Sequence, residues 1–354
     1  MDRWKAFSWL CEALAPTIYG RRPEGLEPPP SWPLVVEAAS YHLVTPALAW
    51  RLEREEGLAG EAASYFEAIL ELFRARNREM AGAIRAAAMQ LARAGISAIA
   101  LKGGASLIEE LFPDPGIRPL TDIDLLVPEA QVAIAAAVLR DNGWFATTPD
   151  KPGHHHLAPL RHKDWPCTLE LHRRVLNKRF GGMLVAEECF RNIRPLDRGD
   201  VKALLPSPTH RVVHNIVHSE LVNRRSVTRV PELRQLLELC LLRERYEAVI
   251  DWEDVALRFR QAGQLPALQH NLSCARSLFG YPPPSFLSPA SGCTTETLRE
   301  AVERQKGLRR AKARKIARLV YRELSFSRGR LLLHKGGRAQ LRINAARIWQ
   351  GTGW

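Results

Sequence analysis

The chain has 354 residues, of which 46% are apolar and 25% are charged, and its formal net charge is +13. This length allows two or three packed units, and no apolar segment reaches the roughly 18 residues that a membrane-spanning helix needs, which argues against an integral membrane protein. The excess charge is confined to residues 301–354, which contain 15 Lys and Arg against two Glu. The rest of the chain is balanced and lacks the basic signature of a nucleic-acid-binding protein.

The six cysteines are scattered and form no C-x-x-C pair. This pattern favours the reduced thiols of a cytoplasmic protein over a disulfide framework or a zinc knot. The first 20 residues have an acidic second position and carry Glu12 within their apolar part, which indicates an amphipathic helix and not a signal peptide. We therefore expect a cytoplasmic protein.

Residues 1–95 are predicted to form an N-terminal helical region. Apolar residues recur at helical spacing from residue 34 onward, and residues 64–95 continue such a pattern for some thirty residues. Gly95 is a suitable residue to end this helix in a left-handed conformation.

The pattern changes in residues 96–200, which predict an α/β core. A strand in "ISAIALKGG" precedes a helix in "ASLIEELF", a strand in "TDIDLLV", a helix ending at Gly143 and a strand in "CTLELHRRV". Alternation of strands and helices around glycine turns is typical of a sheet covered by helices.

Residues 201–300 again predict helices, with Ser207 as an N-cap and Pro208 as a first helical residue. The predicted fold is therefore α+β: a small mixed β-sheet core flanked by N-terminal and C-terminal helical regions. Residues 301–354 are predicted to form a basic, partly helical tail.

Two carboxylates lie inside the predicted strand "TDIDLLV". Residues two apart in a strand point to the same face, about 6.6 Å apart along the chain, so Asp122 and Asp124 lie side by side. Because like charges this close disfavour each other's ionisation, a divalent cation between them is favourable. Mg²⁺ suits such a site, since it takes oxygen ligands from one or two carboxylates and from substrate phosphates. The alternative is a solvated strand end or turn.

A candidate phosphate site precedes these carboxylates. Gly103 and Gly104 lie between a predicted strand and a predicted helix, where backbone N–H groups and the helix dipole hold phosphates. Ser106 offers a hydroxyl in the first helical turn, and Lys102 and Arg118 supply positive charge on either side.

A third carboxylate follows in "TLELHRRV". Because the strand alternates, Thr168, Glu170 and His172 face one side while Leu169 and Leu171 face the other. If this strand neighbours "TDIDLLV", three carboxylates converge in an arrangement suited to two metal ions.

The stretches "LKGGAS", "TDIDLLV" and "ELH", with Arg118 between the first two, resemble the nucleotidyltransferase superfamily of the DNA polymerase β type. They are more similar still to a bacterial group of uncharacterised nucleotidyltransferase family proteins. That resemblance extends over roughly residues 30–260.

The resemblance implies that Asp122 and Asp124 bind Mg²⁺ or Mn²⁺, that Glu170 is the third metal ligand and a base, and that Gly103 and Gly104 hold the phosphates of a nucleoside triphosphate. Two departures stand out. The usual Gly-Ser of the superfamily is Gly-Gly here, which leaves Ser106 as a substitute hydroxyl, and the third acidic residue is Glu.

The expected activity is metal-dependent transfer of a nucleoside monophosphate to a hydroxyl or phosphate acceptor, with release of pyrophosphate. The acceptor is a small molecule, a peptide or protein, or a tRNA. The alternative is an inactive binding module of the same fold or an antitoxin-like partner protein, which the Gly-Gly departure favours. Removing either Asp122 or Asp124 is expected to abolish activity and leave the fold intact, because both carboxylates are expected to face solvent.

Two histidine groups have less specific readings. His154, His155 and His156 are consecutive, and three consecutive residues of a strand cannot all face one ion, so we expect one or two to line the cleft and the third to be solvated. The histidines at positions 210, 214 and 218 share a helix face. We expect a packed helix with hydrogen-bonded histidines there, with a metal-ligand pair as the alternative.

The basic tail suits RNA, an acidic partner or an anionic membrane surface. Its alternative is a solvated end of the chain that aids docking or solubility.

Overall fold

The computed structural model describes residues 3–20, 25–53, 60–165, 167–198, 201–287 and 294–304. The predicted basic tail falls outside these described residues from residue 305 onward. No helix in the described ranges combines the length and the apolar character that a bilayer crossing requires.

The N-terminal helices form as predicted. They are Arg3–Leu14 (α1), Trp32–Tyr41 (α2), Thr45–Leu52 (α3) and Gly60–Arg93 (α4). Gly95 ends α4 with a left-handed φ of 73°, and the N–H of Ile96 reaches back to the carbonyl of Leu91 at 3.0 Å. The predicted glycine cap of α4 is therefore confirmed.

Seven strands form one mixed sheet in the spatial order β3-β4-β5-β2-β1-β7-β6. They are Ile99–Leu101 (β1), Asp122–Leu126 (β2), Trp144–Ala146 (β3), Leu160–His162 (β4), Thr168–His172 (β5), Ile193–Arg198 (β6) and Val201–Pro206 (β7). The pairs β2–β5 and β1–β7 are parallel and the other pairs are antiparallel.

Three short helices lie between the strands, and six more follow the sheet. They are Lys102–Ile108 (α5), Val132–Asp141 (α6), Ala186–Arg191 (α7), Pro208–Ile216 (α8), Arg225–Thr228 (α9), Leu233–Tyr246 (α10), Trp252–Gln261 (α11), Leu265–Phe279 (α12) and Thr295–Arg304 (α13). Ser207 caps α8 as predicted, because its hydroxyl accepts the N–H of His210 at 3.2 Å.

The described residues form three hydrophobic clusters that fix the layers. One contains Ile123, Leu125, Leu169 and Leu171 from one face of the sheet together with the second half of α4 and α6. Another contains Leu101 and Leu126 from the opposite face together with α7, α8, α11 and α12. The sheet is thus covered by helices on both faces, and the predicted α+β class is confirmed.

A third cluster joins the two ends of the described chain. It combines α1, α2, α3 and the first half of α4 with α10, α12 and α13. The helical regions before and after the sheet therefore share one core, and α4 spans both that core and the core beneath the sheet. The division at residues 95, 200 and 300 stays a prediction, with residue 200 falling between β6 and β7.

Candidate active site

The two acidic strands of the sequence are neighbours in the sheet. β2 and β5 pair in parallel with Asp124 opposite Glu170 and with Asp122 opposite Thr168. The alternate residues Ile123 and Leu169 are fully buried in the core on the other face, so the carboxylates share the face that carries α8. The predicted adjacency of these two strands is confirmed.

Asp124 lies at the centre of this polar face and is 4% exposed. Its Oδ1 accepts a hydrogen bond from Lys102 Nζ at 2.7 Å and another from His172 Nε2 at 2.8 Å. Among the described residues, no hydrogen bond ends on its second oxygen, Oδ2. The expectation that both aspartates face solvent is therefore wrong for Asp124, because a lysine and a histidine cover it.

These contacts shift the ionisation of the group. Burial alone would raise the pKa of the Asp124 carboxyl, but the Lys102 ammonium and the hydrogen bond from His172 hold it well below its usual range. Burial would likewise lower the pKa of His172, but its hydrogen bond with Asp124 and the nearby carboxylate of Glu170 raise it. Asp124 is thus ionised at neutral pH, and His172 Nε2 carries the hydrogen that bonds to it.

Asp122 and Glu170 are more accessible than Asp124. Asp122 is half-buried, and its Oδ1 accepts a hydrogen bond from Thr121 Oγ1 at 2.7 Å. The side chain of Glu170 is 19% exposed, and its Oε2 lies 3.7 Å from His172 Nε2. Burial would raise the pKa of Glu170, but the nearby imidazole of His172 outweighs it and lowers the pKa, so Glu170 is also ionised at neutral pH.

The donor set fits a hard divalent cation on the accessible side of the strands. The ligand atoms of Asp124, Glu170 and His172 lie within 4.8 Å of one another, and Asp122 lies outside this group, two residues earlier on the same face. Asp124 Oδ2 and the carboxylates of Asp122 and Glu170 offer oxygen ligands, which Mg²⁺ and Mn²⁺ prefer. His172 Nε2 is already bound to Asp124 Oδ1, so it positions that carboxylate.

The glycine stretch differs from the prediction in its local geometry. The residue with a left-handed φ is Lys102, at 50°, and Gly103 and Gly104 already lie in the first turn of α5. A non-glycine residue in this conformation is strained. In this strained conformation, the Lys102 side chain bonds to Asp124. Asp124 is also the residue of β2 that pairs with Leu101 of β1.

Gly103 is required by packing. A Cβ atom at this position would overlap the guanidinium group of Arg118, whereas at Gly104 it would meet Ile84 Cδ1 at 3.3 Å. Arg118 is itself fixed, because its Nε donates to Glu238 Oε2 at 2.8 Å. The glycine therefore allows a buried arginine to lie directly against the start of α5.

We expect Gly103→Ala to lower the free energy of unfolding by about 1–3 kcal/mol, the usual cost of overpacking a filled site. Urea denaturation measures this change. The matched control is Gly182→Ala, where a Cβ would meet nothing within 4 Å. Equal stability of the two variants would contradict the packing role of Gly103.

Ser106 and Arg118 belong to a buried network beside the acidic strands. Ser106 Oγ donates to Glu238 Oε1 at 2.5 Å and accepts from Arg211 Nη2 at 3.0 Å. Burial would raise the pKa of Glu238, but Arg118 and the Ser106 hydroxyl outweigh it and lower the pKa. The structure thus brings Lys102 to the carboxylates and ties Ser106 and Arg118 to α10, 120 or more residues later in the sequence.

A cavity of about 540 Å³ opens on the other side of this network. Gly103 and Arg118 line it together with Arg78, Arg85 and Arg245. Arg78 and Arg85 are exposed and lie seven residues apart, on one face of α4. The size suits a small-molecule ligand, and the arginines give it an affinity for negative charge.

The histidines at positions 210, 214 and 218 lie in packed helical segments as predicted, but their hydrogen bonds differ from the prediction. His210 and His214 are buried, and burial, with Lys102 nearby, lowers the pKa of His214 well below its usual range. His218 Nδ1 accepts from Gln235 Nε2 at 3.2 Å. His210 Nδ1 has no hydrogen-bond partner among the described residues, and no hydrogen bond of those residues ends on the His214 ring. Of the three, the expectation of a hydrogen-bonded histidine is confirmed for His218, which lies in the π-helical segment Val217–Val222 after α8.

His214 and His218 also reach the candidate site. They line a small cavity of about 30 Å³ with Lys102, Arg211 and Glu238. This cavity lies on the α8 and α10 side of Lys102, away from Arg78 and Arg85.

The consecutive histidines are arranged differently from the prediction. His154 and His155 lie in an irregular bend, and His156 forms an isolated antiparallel bridge with His172. Their three rings are grouped with centroids 4.2–4.8 Å apart. His156 Nε2 lies 3.3 Å from Glu170 Oε2. The prediction that they could not face a common point is wrong, because the backbone bends between them.

Two functional candidates escaped the sequence reasoning. His172 was placed on the polar face of its strand but was given no role, although "ELH" sets it two residues after Glu170. Glu238 lies in an amphipathic helix, "LRQLLELCLLRERY", where nothing local distinguishes it from a solvated acidic residue.

The family model of uncharacterised nucleotidyltransferases matches residues 28–280, which is more than half of the chain and includes every residue of the acidic site. No curated protein and no solved structure matches the chain. Membership supports a nucleotide substrate and nucleotidyl transfer in general terms. On this match, the chain belongs to the family of uncharacterised nucleotidyltransferases.

Proposed function

We propose that the protein transfers a nucleoside monophosphate from a nucleoside triphosphate to a hydroxyl or phosphate acceptor, with Mg²⁺ or Mn²⁺ as cofactor. The observation that carries the proposal is the pairing of Asp124 with Glu170 across parallel strands, with Asp122 on the same face. Membership of a nucleotidyltransferase family supports it, as does the resemblance of these motifs to the DNA polymerase β superfamily.

Asp122, Asp124 and Glu170 would hold the cation through carboxylate oxygens. When bound, it would neutralise phosphate charge and make an acceptor hydroxyl more acidic. The Lys102 ammonium donates to Asp124 Oδ1 and supplies one positive charge beside it, and His172 fixes the orientation of the same carboxylate. Exclusion of water from the site would strengthen the attraction of Lys102 and the bound cation for the triphosphate.

In the proposed reaction, an acceptor oxygen forms a bond to the α-phosphorus as the bond from that phosphorus to the bridging oxygen breaks. The electron pair of the broken bond leaves with pyrophosphate. For a hydroxyl acceptor, Glu170 is placed to take the proton, because its side chain is accessible and is ionised at neutral pH. Most of the rate enhancement would come from positioning and charge stabilisation.

The phosphates would lie near Lys102 and the first turn of α5, at Gly103 and Gly104. Arg118 would add positive charge through the terminal nitrogens that face Gly103, and Ser106 would support the turn through Glu238. The balanced charge of the body favours a small molecule, a peptide or a protein as acceptor, and the basic tail favours a tRNA. We also retain a cytoplasmic location in this proposal.

One observation favours the alternative of a non-catalytic binding module or antitoxin-like partner. Asp124 Oδ1 is already occupied by an ammonium and an imidazole at 2.7 and 2.8 Å. A carboxylate whose charge is already balanced by neighbouring side chains gains less stabilisation from a metal ion. The two functions differ in one measurable property, which is turnover.

The test is a metal-removal experiment on the full chain. Each of ATP, CTP, GTP and UTP, labelled on the α-phosphate, is incubated with the protein, Mg²⁺ and mixed small-molecule, protein or total tRNA acceptors. We expect release of pyrophosphate, loss of that release with EDTA and its recovery with excess Mg²⁺ or Mn²⁺. Intact-mass analysis of the acceptors identifies the group that is added and its recipient.

Two results would overturn the proposal. One is nucleotide binding without turnover on any of the acceptor mixtures, which favours the binding module. The other is pyrophosphate release that EDTA does not diminish.

A further inference from the structure

The three consecutive histidines form a compact group of imidazoles beside the acidic strands. One ring nitrogen from each of His154, His155 and His156 lies within 4.8 Å of the others. All three residues are half-buried, so their nitrogens are open to an ion from solvent. Three imidazoles around one point are a ligand set that transition-metal ions use in proteins.

The backbone holds this arrangement firmly. Gly153 has a left-handed φ of 74°, and the N–H of His154 bonds to the carbonyl of Lys151 at 3.2 Å. The carbonyl of His155 accepts the N–H groups of both Arg173 and Arg174, at 3.0 and 3.2 Å. These residues are therefore tied to the end of β5, where His156 forms an isolated antiparallel bridge with His172, and the bend at His155 interrupts regular strand alternation.

The contact between His156 and Glu170 places a ring nitrogen beside a carboxylate oxygen, where a cation could bind to both. His156 Nδ1 lies 2.6 Å from the carbonyl oxygen of Leu157, and because a carbonyl only accepts, Nδ1 carries the hydrogen of the neutral ring. The opposite nitrogen, Nε2, then has a lone pair, and it lies 3.3 Å from the carboxylate oxygen Glu170 Oε2. His172, whose Nε2 lies 3.7 Å from the same carboxylate oxygen, supplies positive charge there, and a metal ion near His156 Nε2 would gain a nitrogen ligand and an oxygen ligand together.

The other two histidines have ring nitrogens available for binding. No hydrogen bond ends on a ring nitrogen of His154 or His155 among the described residues. Burial and the neighbouring histidines lower the pKa of His155 to about 3, and burial lowers that of His156. Binding a metal ion through His154 or His155 would therefore break no hydrogen bond of the described residues.

We propose that His154, His155 and His156 bind a borderline transition-metal cation of the Zn²⁺ class, with Glu170 as the adjacent oxygen donor. Nitrogen ligands select Zn²⁺, Co²⁺ or Ni²⁺ over Mg²⁺, so the site is chemically distinct from the oxygen ligands of Asp122 and Asp124. The binding itself does not depend on the proposed nucleotidyl transfer.

Glu170 gives this site a consequence for the proposed function. The same carboxylate borders the histidines through Oε2 and faces Asp124 across the strands. A Zn²⁺ ion on the histidines withdraws Glu170 from its role at the acidic site. Occupancy of the histidine site is therefore expected to slow nucleotidyl transfer, and this second effect rests on the proposed function.

The experiment uses the full chain, freed of metal by chelation and then titrated with Co²⁺ or Zn²⁺. We expect one Co²⁺ per chain with the visible absorption of a nitrogen-ligated ion, displaced by Zn²⁺ and not by excess Mg²⁺. Because loss of even an outer contact lowers metal affinity about 10–100-fold, His154→Ala and His155→Ala should each lower it by at least about 100-fold. The control is His162→Ala, which removes a histidine that contacts Trp144 away from the group.

The possible results separate cleanly. Equal affinity in the wild type and in both histidine variants would overturn the site, as would displacement of Co²⁺ by Mg²⁺. Loss of Co²⁺ binding in His154→Ala and His155→Ala but not in His162→Ala would support it. This readout is independent of activity, so a protein that never releases pyrophosphate still tests the histidine site.

Discussion

The variant Asp122→Asn is expected to lose about 10³-fold or more of the rate of pyrophosphate release, the scale of loss when one charge-stabilising group is removed from a reaction centre. Asp122 lies on the face that it shares with Asp124 and Glu170, and its carboxylate is half-buried. Asparagine keeps the shape and the hydrogen bond from Thr121 and removes only the charge. The free energy of unfolding should therefore stay within about 0.5 kcal/mol of the wild-type value.

The measurement is a comparison of initial rates at saturating nucleotide with urea denaturation of the same preparations. Asp141→Asn is the matched control, because Asp141 is exposed at the end of α6, outside the acidic site. A variant at position 122 that retains wild-type turnover would show that this carboxylate takes no part in the reaction. A variant that loses activity and stability together would leave the two roles unseparated, and Asp122→Glu, which restores the charge, would then decide by recovering some turnover.

The secondary structure and the facing of the side chains on the two acidic strands were predictable because they follow from local patterns. The alternation in "TDIDLLV" and "TLELHRRV" assigned Ile123 and Leu169 to the core and Asp124 and Glu170 to the opposite face, as the structure has them. The helix from Gly60 to Arg93 followed from its apolar spacing. In each case, the information lies within a few residues of the sequence.

The covering of Asp124 could not be predicted in the same way. It depends on a left-handed φ at Lys102, a conformation that a lysine rarely adopts and that no sequence pattern signals. It depends as well on His172 Nε2 reaching across the two strands to Asp124. Because His172 was assigned to the polar face of β5, the sequence could predict that it lies near Glu170. The sequence could not predict its hydrogen bond to Asp124.

Long-range partners explain the remaining differences. The ion pair between Arg118 and Glu238 could not be predicted, because Glu238 lies 120 residues later in the sequence, in a helix with ordinary amphipathic spacing. The grouping of His154 with its two neighbours depends on a bend at His155, whose carbonyl bonds to the N–H groups of Arg173 and Arg174. Such contacts are properties of the folded chain and have no local signature.

The variant Asp124→Asn is expected to lose stability as well as activity. Its carboxylate is the common partner of Lys102 and His172, and the side chain of His172 is fully buried. Removing one member of a buried charged pair leaves the other without compensation and typically costs 3–5 kcal/mol. Because the amide oxygen still accepts a hydrogen bond and Lys102 is partly exposed, we expect a loss of about 3 kcal/mol.

The loss should depend on pH in a defined way. The pKa of Asp124 is depressed in the folded protein, so its contribution to stability is present above its unfolded value of about 4 and declines as the pH falls below it. The pKa of His172 is raised, so its contribution is present below its unfolded value of about 6.5 and declines as the pH rises through the folded value. The stability difference between wild type and Asp124→Asn should therefore be largest between about pH 4 and 6.5.

Urea denaturation at a series of pH values measures this difference, and Asp122→Asn, two residues earlier on the same face, is the matched control. A constant difference from pH 3 to pH 9 would show that the charge of Asp124 does not hold Lys102 and His172. If Asp124→Asn were as stable as Asp122→Asn, the Asp124 carboxylate would not hold Lys102 and His172, which contradicts the prediction. Since Oδ1 carries both internal contacts, a metal ion at Oδ2 would share the carboxylate with them, and added Mg²⁺ should then stabilise the wild type and not the variant.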